Sequence, residues 1–129
     1  MPKDAGIVNL SSPFPVDETL DRVEAVARSK GVVIFLRLDQ RLEGEKVGLT
    51  LRPTQLLLLG NPKAGTKLMN AFPGVAIDLP VKAQAWEDAQ CQVWLSYNSP
   101  DYLKQRHQLS VEQIKLIAGF GNMLVEAIK

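Results

Sequence analysis

The segment Gly60-Asn61-Pro62-Lys63-Ala64-Gly65-Thr66 holds the densest set of groups suited to binding. Asn61 is a natural helix N-cap and Pro62 a natural first helical residue, so the segment predicts a strand that turns into a helix. The free N–H groups of a first helical turn favour an anion. Lys63 and Lys67 add positive charge, Thr66 offers a hydroxyl, and the glycines let a ligand approach the backbone. The spacing is not that of a Walker loop, which needs GxxxxGK[ST]. Two readings stay open. A capped turn explains Asn-Pro without a ligand, because a cap alone stabilises by ~1 kcal/mol. A small anionic ligand held near the amides of Lys63 and Ala64 is the alternative.

Carboxylates flank the next stretch. Asp78 lies between Ile77 and Leu79, and Lys82, Glu87 and Asp88 follow. A carboxyl in an apolar pocket gains a raised pKa and can serve as acid or base, so an enzyme using Asp78 or Glu87 is a rival reading. The bland version pairs Asp78 with Lys82 or an arginine on the surface. Tyr97 and Asn98 end a strand and could place a phenol and an amide at a pocket rim. The ligand-binding set read from the sequence is therefore Asn61, Lys63, Ala64, Thr66, Asp78, Lys82, Tyr97 and Asn98.

Other reactive groups point away from chemistry. His107 is the one histidine, so no multi-histidine metal site and no HExxH pattern exists. Near a helix end it complements the dipole. Cys91 is the one cysteine, which excludes an intrachain disulfide and a cysteine-based zinc cluster. No basic residue adjoins it to lower its pKa. No metal and no cofactor is expected.

Periodicity supplies the elements. Ile7–Ser11 reads as a strand stopped by Pro13 and Pro15. Val16, Leu20, Val23 and Ala27 form one stripe of a helix over 16–30, closed by Gly31. Val32–Leu38 is a β-branched strand. The charged stretch 39–53 reads as a crossover, with Val47, Leu49 and Leu51 alternating as in a short edge strand. Thr54–Leu59, with four consecutive leucines, reads as a strand buried on both faces. A short helix over 63–70, an extended link over 75–80, strands at 81–86 and 92–97, and a helix from Pro100 to His107 follow. Ser110-Val111-Glu112-Gln113 is a capping box that opens a last helix running to Ile128. That helix carries two apolar stripes, Ile114/Ile117/Gly121/Leu124/Ile128 and Leu116/Phe120/Met123/Ala127. One stripe suffices to pack on a sheet. The second needs an intrachain neighbour or a second copy, and a homodimer through this helix is the expectation.

Consecutive strands without long intervening helices indicate α+β: a two-layer fold, mainly an antiparallel sheet with helices on one face. The 129 residues suit a single domain over 1–129. A net charge of +1 gives no whole-chain attraction to nucleic acid or an acidic membrane. No apolar run approaches the ~20 residues of a membrane span. Residues 1–6 do not read as a signal, and a cytoplasmic protein is expected.

Several segments together carry a resemblance. Val47-Gly48-Leu49-Thr50-Leu51-Arg52-Pro53-Thr54, Leu59–Thr66, Ile77-Asp78-Leu79-Pro80-Val81-Lys82, Trp86-Glu87-Asp88 and Val93-Trp94-Leu95-Ser96-Tyr97-Asn98 resemble the domain of unknown function 302 family, from Val8 to His107. The resemblance implies a β-α-β4-α core like that of TATA-binding-protein-like domains, and a small dimeric bacterial or archaeal protein. It implies no established activity, and carrying nucleic-acid binding over from the fold would be analogy alone. Two departures stand out. Asp39-Gln40 replaces a frequent Asp-His, so this chain lacks the histidine on which metal or proton chemistry there would rest. Ala89-Gln90-Cys91 replaces a turn in which the family usually carries glycine.

Overall fold

A computed structural model describes residues 6–129; the expected absence of a signal at the N-terminus falls largely on residues 1–5, outside the described residues. Five strands form one antiparallel sheet in the order β1-β5-β4-β3-β2. They are β1 (Ile7–Ser12), β2 (Val33–Asp39), β3 (Thr54–Gly60), β4 (Val81–Glu87) and β5 (Val93–Asn98). The helices are α1 (Val16–Ser29), α2 (Gln40–Lys46), α3 (Pro62–Ala71), α4 (Pro100–His107), α5 (Val111–Ala118) and α6 (Phe120–Ala127). The α+β reading holds.

The core lies between one sheet face and the pair α1 and α6. Val16, Leu20, Val23 and Ala27 of α1 meet Leu57, Leu59, Ala83, Ala85 and Leu95 of the sheet and Met123, Leu124 and Ala127 of α6. The small alanines of β4 let the helices sit close to the sheet. A second, smaller core joins α3, α4 and α5 through Leu68, Val75, Leu103, Leu109 and Ile114. Strand alternation sends Leu56 and Leu58 to the other sheet face, which the α1/α6 layer leaves uncovered. The leucine strand is thus deeply buried on one face and half-buried on the other.

Three local expectations change. The stretch 39–53 contains α2, because Asp39 caps it by accepting from the Leu42 amide at 3.1 Å; Val47, Leu49 and Leu51 form no strand. The link before β4 is a 3₁₀ turn over Pro73–Asp78. The last helix divides at Gly119 into α5 and α6. Its two stripes find work within the chain: Ile114 in the small core, Met123, Leu124 and Ala127 in the large one. Leu116 of the second stripe stays 38% exposed. No described helix is long and apolar enough to cross a membrane.

Arg37 ties sheet to helix. From β2 it donates to Asp21 at 2.6 Å, to Glu24 at 2.8 Å and to Gln55 at 2.9 Å. Burial pushes the Glu24 carboxyl up, but hydrogen bonds from Arg37 and Arg28 outweigh it and hold the group below its ordinary range. Asp88 organises the β4–β5 hairpin. It accepts from the Trp94 indole at 2.9 Å and from the backbone amides of Gln90 and Gln92. The Trp94 hydrogen bond, helped by those amides, holds Asp88 below its ordinary range. Strand pairing sets Trp86 opposite Trp94.

Candidate functional site

The strand-to-helix junction forms as expected. β3 ends at Gly60, Asn61 caps α3, and Pro62 occupies its first position. The cap is complete, however. Asn61 Oδ1 accepts from the amides of Lys63 at 3.0 Å and Ala64 at 3.2 Å, and the Asn61 carbonyl accepts from Gly65 at 2.8 Å. The donors proposed for an anion are taken by the protein itself.

What the junction borders is a cavity of about 390 Å³. Its walls come from the ends of β2 and β3, from α3, from the segment leading into β4, and from both halves of the divided last helix. Phe35, Met69, Leu79, Leu116, Phe120 and Met123 supply most of the bulk. Asn61, Ala64 and Gly65 line it as well, and Lys30 and Lys115 are its charged members. Lys30 pairs with Glu126 at 3.3 Å, whereas no ion pair among the described residues engages Lys115. The Leu79–Pro80 peptide in its wall is cis. The division at Gly119 matters here: Leu116 and Ile117 from α5 and Phe120 and Met123 from α6 all reach one concavity.

Only part of the sequence-based set gathers at this cavity. Asn61 and Ala64 line it, while Lys63 and Thr66 lie exposed on the outer side of α3. Asp78 is engaged elsewhere: its Oδ2 lies 2.5 Å from His107 Nε2 and its Oδ1 3.5 Å from Arg106. That clasp ties the 3₁₀ turn to the end of α4, and His107 thus has a specific partner as well as a place near the helix end. Lys82 and Asn98 fall on the open sheet face, by alternation with the buried Ala83 and with Tyr97. Tyr97 points the other way and meets Phe120 edge-on, with ring centres 5.8 Å apart. Burial pushes the Tyr97 phenol up. Glu87 pairs with Arg52 at 3.5 Å and borders a smaller cleft of about 130 Å³ at the opposite end of the sheet. Neither carboxyl of the acid–base reading lines the large cavity.

Sequence reasoning missed the apolar wall. The signals existed in the second stripe of the last helix, which it assigned to a partner, and in Phe35, which stays half exposed on β2. Among the described residues, no cluster of three or more histidine, cysteine or acidic residues is arranged to hold a metal.

A two-layer α+β sandwich with an apolar cavity between its smaller helices and the sheet end is the class that fold and site define. The chain belongs to the DUF302 family, a domain of unknown function whose model matches residues 8–128. A crystal structure of an uncharacterized conserved DUF302 protein from Bacillus stearothermophilus shares the fold, with a TM-score of 0.80, 16% identity and 97% of each chain covered. Among curated proteins, the chain is 44% identical over 108 residues to the fluoride-specific ion channel FluC 1 of Brucella suis biovar 1 (strain 1330) and to FluC 1 of Brucella abortus biovar 1 (strain 9-941). The match takes 84% of this chain but 42% and 40% of those proteins, so the chain spans about two-fifths of their length.

Proposed function

We propose that this domain binds a small, largely apolar molecule in the cavity beside Asn61, with Lys115 facing any anionic end that the molecule carries. The observation behind this reading is the cavity itself. Its volume of about 390 Å³ falls within the ~300–1,000 Å³ range of ligand pockets, and its lining is apolar with a few polar groups. An anion gripped by the α3 amides is not part of the reading, since Asn61 occupies those donors. The reading assigns no reaction, because Asp78 and Glu87 stand outside the cavity. It keeps the cytoplasmic placement expected from the sequence. The channel named in the Brucella proteins is a property of those longer chains.

Titration of isotope-labelled protein with octanoate, an apolar chain with a carboxylate, tests the proposal by NMR. Amide shifts are expected at Ala64, Gly65, Ile117 and Gly119. Shifts confined to β1 and β5, or none at millimolar octanoate, would contradict it.

A further inference from the structure

The charges around the cavity are one-sided. Lys30 and Lys115 line it, and no acidic residue does. Lys30 follows the last residue of α1, and its amide donates to the carbonyls of Val26 at 3.2 Å and Ala27 at 3.0 Å. That fixes its backbone and leaves a flexible four-carbon stem to carry the ammonium. The ammonium meets Glu126 of α6 at 3.3 Å, and both side chains are about half exposed. Glu126 itself does not line the cavity. The fold has little need of this pair. α1 and α6 already share a core that includes Val23, Ala27, Leu124 and Ala127, and an exposed ion pair contributes little beside it. A cation at an apolar cavity, held by a loose carboxylate of the protein's own, is a contact that another carboxylate can take over.

We propose that the cavity takes carboxylic acids with an apolar body, and that Glu126 holds the place of the ligand's carboxylate on Lys30 until one binds. The inference rests on the ligand reading above and commits it to a class. In this exchange Lys30 keeps a carboxylate partner throughout, and Glu126 is released to water, where it stays solvated. Lys115, which no ion pair among the described residues engages, adds the second positive charge. The two lysines thus compensate a charge that an apolar lining alone would penalise. Neutral molecules of the same shape gain from neither lysine, and cationic ones are repelled by both. A phosphate monoester fits less well. It brings up to two charges and three strong acceptor oxygens, whereas the side chains of the lining other than Lys30, Lys115 and Asn61 are apolar.

Two probes with the same chain test it: octanoate and octanol, each titrated into the full chain by calorimetry. Octanol is the more apolar of the two, so a cavity that makes no use of its lysines prefers it. The wild type is expected to bind octanoate the more tightly. Lys30→Gln is expected to lower the octanoate-to-octanol affinity ratio about two- to fivefold, and Glu126→Gln, which removes the stand-in, to raise it by a similar factor. In Lys30→Gln/Glu126→Gln the Glu126 change is expected to have no further effect, since the contact it frees is gone. A role confined to holding α1 on α6 would move both ligands together and leave the ratio fixed. A wild type that prefers octanol overturns the proposal while leaving the ligand reading in place. So does an unchanged ratio in Glu126→Gln, or a Glu126→Gln gain that persists without Lys30. Failure of both probes to bind at millimolar concentration removes the ligand reading and this inference with it.

Discussion

Two glycines two residues apart in the last helical stretch have opposite reasons to be there. A Cβ built on Gly121 lies 2.6 Å from Tyr97 Oη and 3.2 Å from the ring carbon that bears it. Gly121→Ala must therefore move Tyr97 away from Phe120, and overpacking of this kind costs ~1–3 kcal/mol. Urea melts should show that loss, with a part recovered in Gly121→Ala/Tyr97→Phe. Gly119 has helical backbone and open space around its missing Cβ. Gly119→Ala should leave stability unchanged or raise it by about 0.5–1 kcal/mol, through the entropy of the unfolded chain. Cys91 makes the converse case. It holds φ of +63° in the β4–β5 hairpin. Cys91→Gly should stabilise the hairpin by ~1 kcal/mol, since the left-handed region costs a side-chain-bearing residue about that much. The acidic limb of stability also belongs to single residues. Glu24 and Asp88 both have folded pKa values below their ordinary ones. Their contribution is complete above the unfolded carboxylate range near ~4 and disappears as pH falls through the lower folded values. Glu24→Gln should flatten the decline in melting temperature between about pH 4 and pH 2.

At the scale of elements, legibility followed local rules. α1 could be read from Val16, Leu20, Val23 and Ala27 because all four are buried on one face. α3 and α5 could be read from Asn61-Pro62 and from the Ser110/Gln113 box, whose two hydrogen bonds are both present. Asn61→Ala should cost about 1 kcal/mol, visible as early fraying of α3 amides in hydrogen exchange. α2 was illegible because none of its residues is buried, so no apolar stripe betrays it; only the Asp39 cap holds its start. The division at Gly119 was illegible because the apolar period runs straight through it. Contacts between distant segments had no sequence signal at all. Asp78 and His107 are 29 residues apart and meet only because the 3₁₀ turn and the end of α4 pack together.

For the whole molecule, the sequence reading reached the two-layer architecture and located one wall of the site, at Asn61 and Ala64. It could not anticipate that Lys82 and Asn98 would fall on the opposite sheet face, since alternation assigns faces only once the core side is known. Nor could it see the cavity, whose walls come from four separate stretches of chain. The central claim is that this cavity holds a ligand, and Gly65 offers the sharpest test. A Cβ at Gly65 would sit 3.9 Å from Leu79 Cδ1 and from Met69 Cε, two groups of the cavity wall, with no clash. Gly65→Phe therefore fills the cavity from α3 while raising helix propensity by about 0.3–0.5 kcal/mol. Calorimetric titration of octanoate into wild type and Gly65→Phe, both folded by circular dichroism, should show affinity lower by at least about tenfold in the variant, a difference of ~1.4 kcal/mol. Equal affinity in the two proteins would contradict the account.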